Sequence, residues 1–292
     1  MHTDEWTAWH KKYGDRIDRL QAGLKGMQAI RDRFDETGRH GLPEAYLLGF
    51  DPKKDGRAII ATGNPDKADH TAVYVPGTGS DLSGIHGSLE RTKNLWQAAA
   101  PLAHGQSVST IAWLGYDAPD DVLKDATFSH YANDGAPAFN RFVDGLHASH
   151  EPGSAGHTTV VGHSYGTTLI GSAARQGDLH ADDVVFAGSP GVQVDSAEAM
   201  DVPKGHVWNE EAGSDSVPEL GREFHSGNQW EIKDGRIIMR AIGVIPSDEE
   251  FGAVQMRTNT SGHSEYWKED SDSLLNQARV IAGRYDRVTH AE

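Results

Sequence analysis

Gly162-His163-Ser164-Tyr165-Gly166 fits the pattern G-x-S-x-G, and its flanks decide what the match means. Before it, Thr158 to Val161 are β-branched and apolar, as in a buried strand. After it, Thr167 to Ala174 reads as a buried helix. A strand, a sharp turn and a helix make a nucleophile elbow, in which Ser164 is held in strained backbone geometry with its Oγ exposed. A Cβ at Gly162 or Gly166 would crowd the neighbouring strand or helix. Such a serine attacks a carbonyl carbon, provided that a base takes its proton and two amides receive the developing oxyanion.

Val75-Pro76-Gly77-Thr78-Gly79-Ser80 follows the third predicted strand. Alone it is an ordinary Gly-rich loop, and it lacks the Gly-Lys-Ser/Thr ending of a phosphate-binding P-loop. Paired with an elbow, it is placed to supply one oxyanion amide, from Thr78, while Tyr165 supplies the other.

The chain has sixteen histidines, so position has to choose the base. Where the nucleophile sits on such an elbow, the acid follows it along the chain and the histidine comes last. His263 fits: its loop, Ser261 to Trp267, lies between a predicted last strand, Phe251–Met256, and a predicted helix, Ser273–Ala282. His225 precedes that strand, His290 lies in a polar tail, and His163 sits in the elbow, where its side chain is expected to point away from substrate. The acid belongs after the predicted strand His206–Asn209, in the loop Glu210–Pro218. Asp215, in a turn-like Gly-Ser-Asp-Ser stretch, is the first choice, with Glu211 and Glu210 behind it.

These groups need a frame. Tyr46–Phe50 and Arg57–Thr62 read as a hairpin turned by Asp51–Gly56. Thr71–Val75, Val108–Leu114 and Asp183–Ala187 are strands, and Leu89–Leu102 and Ala138–Ala148 are helices. Alternating strands and helices predict an α/β fold: a mainly parallel, doubly wound sheet with helices on both faces. The loop from Asp117 to Pro137, carrying Phe128 and Tyr131, is either a short cap over the site or a surface excursion. Gly188-Ser189-Pro190-Gly191 reads as a turn near the site, with Ser189 not catalytic.

Residues 1–40 form a separate predicted segment, an amphipathic helix whose apolar positions run from Trp6 and Trp9 through Tyr13, Ile17, Leu20 and Leu24 to Met27, Ile30 and Phe34. That stripe is expected to dock on the core formed by 41–292, the alternative being a homodimer contact.

Composition narrows the function classes. A net charge of −16 disfavours nucleic acid and anionic membranes. The absence of cysteine excludes disulfides, thiolate nucleophiles and Cys-held metals. No apolar run is long enough for a transmembrane helix, and the N-terminus lacks the apolar h-region of a secretory signal. A cytoplasmic chain is expected, unless it is exported by a route that needs no cleavable apolar signal.

Taken together, the blocks Tyr46–Asp51, Val75–Ser80, Leu114-Gly115-Tyr116-Asp117-Ala118-Pro119, Gly162–Gly166 and Ser261–Ser264 resemble an actinobacterial α/β-hydrolase family of unknown function. The resemblance runs over roughly 44–283 and implies an α/β-hydrolase core with Ser164, Asp215 and His263 as a triad. It says little about substrate. The expectation is a serine hydrolase acting on a small-molecule ester, or on an amide or thioester, without metal or organic cofactor. Acyl transfer to an alcohol by the same triad, and a non-catalytic binding protein on this fold, are the alternatives.

Overall fold

Strands β3 (His70–Val75), β4 (Val108–Leu114) and β6 (Asp183–Ala187) are buried throughout, and β5 (His157–His163) in all but its first residue. Strands covered on both faces need near-continuous apolar or β-branched sequence, which these have. The computed structural model describes residues 3–121, 124–151, 156–227, 230–233, 236–239 and 243–291. With β1 (Ala45–Asp51), β2 (Arg57–Thr62), β7 (Val207–Glu210) and β10 (Val254–Gln255), these strands form one sheet in the order β1-β2-β4-β3-β5-β6-β7-β10. The pairings β1–β2 and β2–β4 are antiparallel, and the rest are parallel.

Helices α3 (His130–Ser149) and α4 (Tyr165–Gln176) cover one face, closing a core around Trp113, Phe139, Leu169 and Phe186. Helices α2 (Ile85–Ala99) and α6 (Asp272–Ile281) cover the other, over Tyr74, Trp208, Tyr266 and Trp267. This is the α/β-hydrolase fold. No helix among the described residues is long and apolar enough to cross a membrane.

Three expectations need correction. First, α3 begins at His130, eight residues before the expected start, with Pro137 inside it. Pro137 has no N–H to give the Asn133 carbonyl four residues back. Gln176 Nε2 on α4 donates to that carbonyl instead, at 3.1 Å, so the helix runs on. Second, the last strand is only Val254–Gln255, because Phe251 lies in a 3-10 turn and Gly252 has φ 82. A further hairpin, β8 (Trp230–Lys233) with β9 (Arg236–Met239), stands outside the main sheet and was not anticipated.

Third, α1 (Asp4–Asp35) docks on the core only through its last turns. There Ile30 is buried, Arg33 donates to Thr62 Oγ1 and Pro43 O, and a Cβ on Gly26 would lie 2.1 Å from Leu82 O. Trp9 stays 48% exposed and Leu20 65% exposed, and Trp6, Tyr13, Leu24 and Met27 are exposed too. A helix of 32 residues is about 48 Å long, and it meets the 3-10 turn at Leu82–Gly84 and α2.

At the end of the sheet opposite the elbow, one buried carboxylate ties four elements together. Asp183 accepts hydrogen bonds from His157 Nε2 (2.7 Å), His206 Nδ1 (2.9 Å), Trp208 Nε1 (2.8 Å) and Tyr285 Oη (2.6 Å). His157 Nδ1 also faces the Ile281 carbonyl at 3.2 Å, so both its ring nitrogens meet acceptors, as in a protonated imidazole. Burial alone would lower the His157 pKa, but Asp183 outweighs it and the net direction is upward. Asp183→Ala is therefore expected to destabilise the fold by about 3–5 kcal/mol, the cost of breaking a buried charge pair. A raised histidine pKa stabilises fully below its ordinary value, near ~6.5, and the gain fades as pH rises through the raised value. Thermal melts should thus show the gap between wild type and Asp183→Asn narrowing as pH rises.

Candidate active site

Ser164 sits between β5 and α4 at φ 54 and ψ −130, a backbone state that costs energy for any residue with a Cβ. The turn holds because its neighbours leave no alternative. Ser164 N donates to Ala187 O (3.0 Å), and Thr167 caps the Ser164 carbonyl through N (2.9 Å) and Oγ1 (2.7 Å). The flanking glycines are required by contact: a Cβ on Gly166 would lie 2.3 Å from Val75 O, and one on Gly162 would lie 2.7 Å from Ile170 Cδ1.

Residues far apart in sequence meet here. His263 Nδ1 donates to Asp215 Oδ2 at 2.8 Å, and the Asp215 side chain is 0% exposed. Tyr266 Oη donates to the same oxygen at 2.7 Å, and the Val217 amide donates to Oδ1 at 2.9 Å. Burial by itself would raise the Asp215 pKa, but the bonds from His263, Tyr266 and Val217 hold the carboxyl below its usual range. His263 Nε2 is buried and has no hydrogen-bond partner among the described residues. His263 and Ser164 line the same cavity, a space of about 510 Å³. Close packing permits the pair: a Cβ on Gly188 (φ 60) would lie 2.6 Å from Asp215 Oδ2 and 3.0 Å from His263 Nδ1.

The loop after β3 closes on the elbow from the other side. A Cβ on Gly77 would lie 2.7 Å from Ser164 Cβ and 3.0 Å from Tyr165 N. Thr78 follows on the cavity wall, and the next amide, that of Gly79, is committed to Pro119 O at 2.7 Å.

The other candidates separate cleanly. Glu210 is the last residue of β7 rather than part of the loop, and its buried carboxyl accepts from Gln277 Nε2 at 2.9 Å. Burial pushes its pKa well above the ordinary value, so it is a poor charged partner for an imidazole. Glu211 is exposed. Ser189 is tied to Thr167 Oγ1 at 2.7 Å. His225 lines the cavity but donates through Nε2 to the Ala126 carbonyl, and burial lowers its pKa.

His163 does more than the elbow pattern suggested. Its Nε2 donates to the backbone carbonyl of His263 at 2.7 Å, which fixes the loop that presents the imidazole. Burial, then Arg91 and His263, push its pKa well down, so it is a neutral donor. Sequence reasoning also missed Tyr266, Arg91 and helix α5 (Val217–His225). Val217, Leu220, Gly221 and Phe224 recur at three- and four-residue steps and form an apolar wall of the cavity. That spacing was visible in the chain. Ala126 and Thr127 bring the loop after β4 to the same rim, while its residues 122–123 lie outside the described ones.

Residues 51–225 match the alpha/beta hydrolase family. An uncharacterized protein of Mycobacterium tuberculosis is 34% identical over 303 residues, covering 93% of this chain and 46% of the relative. Another, from Mycobacterium bovis, is 33% identical over 211 residues, covering 69% of this chain and 76% of its own length. The chain thus spans about half the length of the first relative. Among solved structures, a Trichoderma reesei cutinase is 11% identical with a TM-score of 0.43, covering 93% of this chain and 91% of that one. A hyperthermophilic esterase from Pyrobaculum calidifontis is 13% identical with a TM-score of 0.39, covering 70% and 77% respectively.

Proposed function

Because this chain belongs to the alpha/beta hydrolase family, we propose that it is a serine hydrolase that cleaves an ester through an acyl-enzyme on Ser164. One observation carries the reading. His263 has Nδ1 bound to a buried carboxylate and Nε2 buried and unpartnered among the described residues, and it lines the same cavity as Ser164. An imidazole held by one nitrogen and open at the other is built to move a proton.

In this reading His263 Nε2 takes the Ser164 proton as Oγ bonds to the carbonyl carbon. The oxyanion is received by the backbone amides of Tyr165 and Thr78. The C–O bond to the alcohol breaks and His263 returns its proton to the leaving oxygen. Water then attacks the acyl carbon, gives a proton to His263, and frees the acid and Ser164. Asp215 stays ionised throughout and stabilises the imidazolium. Tyr266 keeps that carboxylate satisfied where water does not reach it. The segment 1–40 supplies none of these groups, so residues 41–292 form the catalytic unit.

The test is turnover of p-nitrophenyl esters of graded acyl length by the purified chain. Saturable release of p-nitrophenol is expected, and no release from any chain length would contradict the reading. Product analysis with added alcohols distinguishes water from an alcohol as acyl acceptor.

A further inference from the structure

Helix α2 turns one face toward the cavity. Gly84 at its N-cap, then Gly87, Ser88 and Arg91, all line it, at the three- and four-residue steps that put residues on one helical face. The first three are small, and a Cβ on Gly87 would meet nothing within 4 Å. The helix therefore forms an open trough along the cavity wall, with a guanidinium at one end.

That guanidinium is singular in its setting. The chain carries a net charge of −16, yet among the described residues no carboxylate lines the cavity, and Arg91 is the one permanently charged side chain that does. The neighbouring His163 and His225 are held neutral by burial. Arg91 forms no ion pair among the described residues. Its position is fixed: Nη1 donates to Tyr74 Oη at 2.6 Å and lies 3.4 Å from His163 Nδ1, and the group stacks over Trp267 at 4.9 Å. Its Nε and Nη2 have no partner among the described residues. A pre-positioned guanidinium with free donors suits the paired oxygens of a carboxylate or phosphate.

We infer that Arg91 receives an anionic group of the substrate, a carboxylate or a phosphate, laid along the α2 trough while the ester sits at Ser164. This rests on the proposed ester cleavage. A neutral lipid ester would leave that cation buried against substrate without a counter-charge, at a cost in binding.

The experiment compares matched ester pairs. On the acyl side, 4-nitrophenyl hemiglutarate is set against 4-nitrophenyl valerate. On the alcohol side, 4-butyryloxybenzoate is set against its methyl ester. Wild type is expected to favour the anionic member of at least one pair by roughly tenfold to a hundredfold in kcat/KM, the range for a hydrogen bond to a charged group. Arg91→Met should collapse that ratio, and Arg91→Lys should restore part of it. A purely structural Arg91, acting through Tyr74 and His163, would slow both members alike and leave the ratio unchanged, which overturns the inference. Gly87→Leu, which fills the trough, should raise KM for the anionic ester more than for p-nitrophenyl acetate. If wild type cleaves none of these esters, the serine-hydrolase reading fails and binding decides the inference separately. Millimolar glutarate or inorganic phosphate should then raise the melting temperature of wild type but not of Arg91→Met. Which of the two acts tells carboxylate from phosphate, and no shift with either overturns the inference.

Discussion

Ser164→Ala is expected to lower ester turnover by roughly a thousandfold or more while the chain keeps its melting temperature. The strain at φ 54 belongs to the backbone, and alanine keeps the Cβ that the turn already accommodates. Only the Oγ is lost, and with it the covalent step. What remains is binding and oxyanion stabilisation by amides the substitution does not touch. Steady-state rates beside a thermal melt check both halves. Undiminished turnover in the purified variant would remove Ser164 from the mechanism.

His263→Ala should be nearly as damaging, and Asp215→Asn somewhat less, since the imidazole would survive with its orientation and cation poorly supported. The three residues act as one unit, so Ser164→Ala/His263→Ala should be no slower than the worse single variant. Rate should fall with acid, because His263 accepts a proton only when neutral. The Asp215 carboxyl does not set that limb, because the bonds from His263, Tyr266 and Val217 hold it below the usual carboxylate range. The same depression stabilises the fold above about pH 4, the ordinary carboxylate range, and the gain is lost as pH falls through the lowered value. A pH–rate profile for wild type and Asp215→Asn, with melts in acid, tests both statements. Full rate in Asp215→Asn with a crippled Glu211→Gln would move the acid elsewhere.

How much of this was legible depends on how local each determinant is. The elbow was readable because its turn, glycines and flanking elements lie within about twenty consecutive residues. Asp215 and His263 came from chain order, and the structure places them 2.8 Å apart. Tyr266 was not readable, since nothing in its own sequence shows that its hydroxyl meets a carboxylate on another loop. Arg91 was hidden for a related reason. Its helix looks like an ordinary amphipathic element, and only the cavity shows that one face carries glycines and a lone cation. The start of α3 was missed because Pro137 is a local stop whose lost bond α4 replaces through Gln176. The α1 stripe misled in the opposite direction: periodicity marks an apolar face but not the length of the surface it meets, and Trp9 and Leu20 stay exposed.

Ser164 as an activated nucleophile is the centre of the proposed mechanism, and covalent capture tests it most directly. Wild type would be treated with a fluorophosphonate and the adduct located by tandem mass spectrometry of its peptides. One phosphonyl group per chain is expected, on Ser164, with its rate of appearance cut sharply in His263→Ala. An adduct on another residue such as Ser189, or no adduct on folded wild-type protein, would contradict the account.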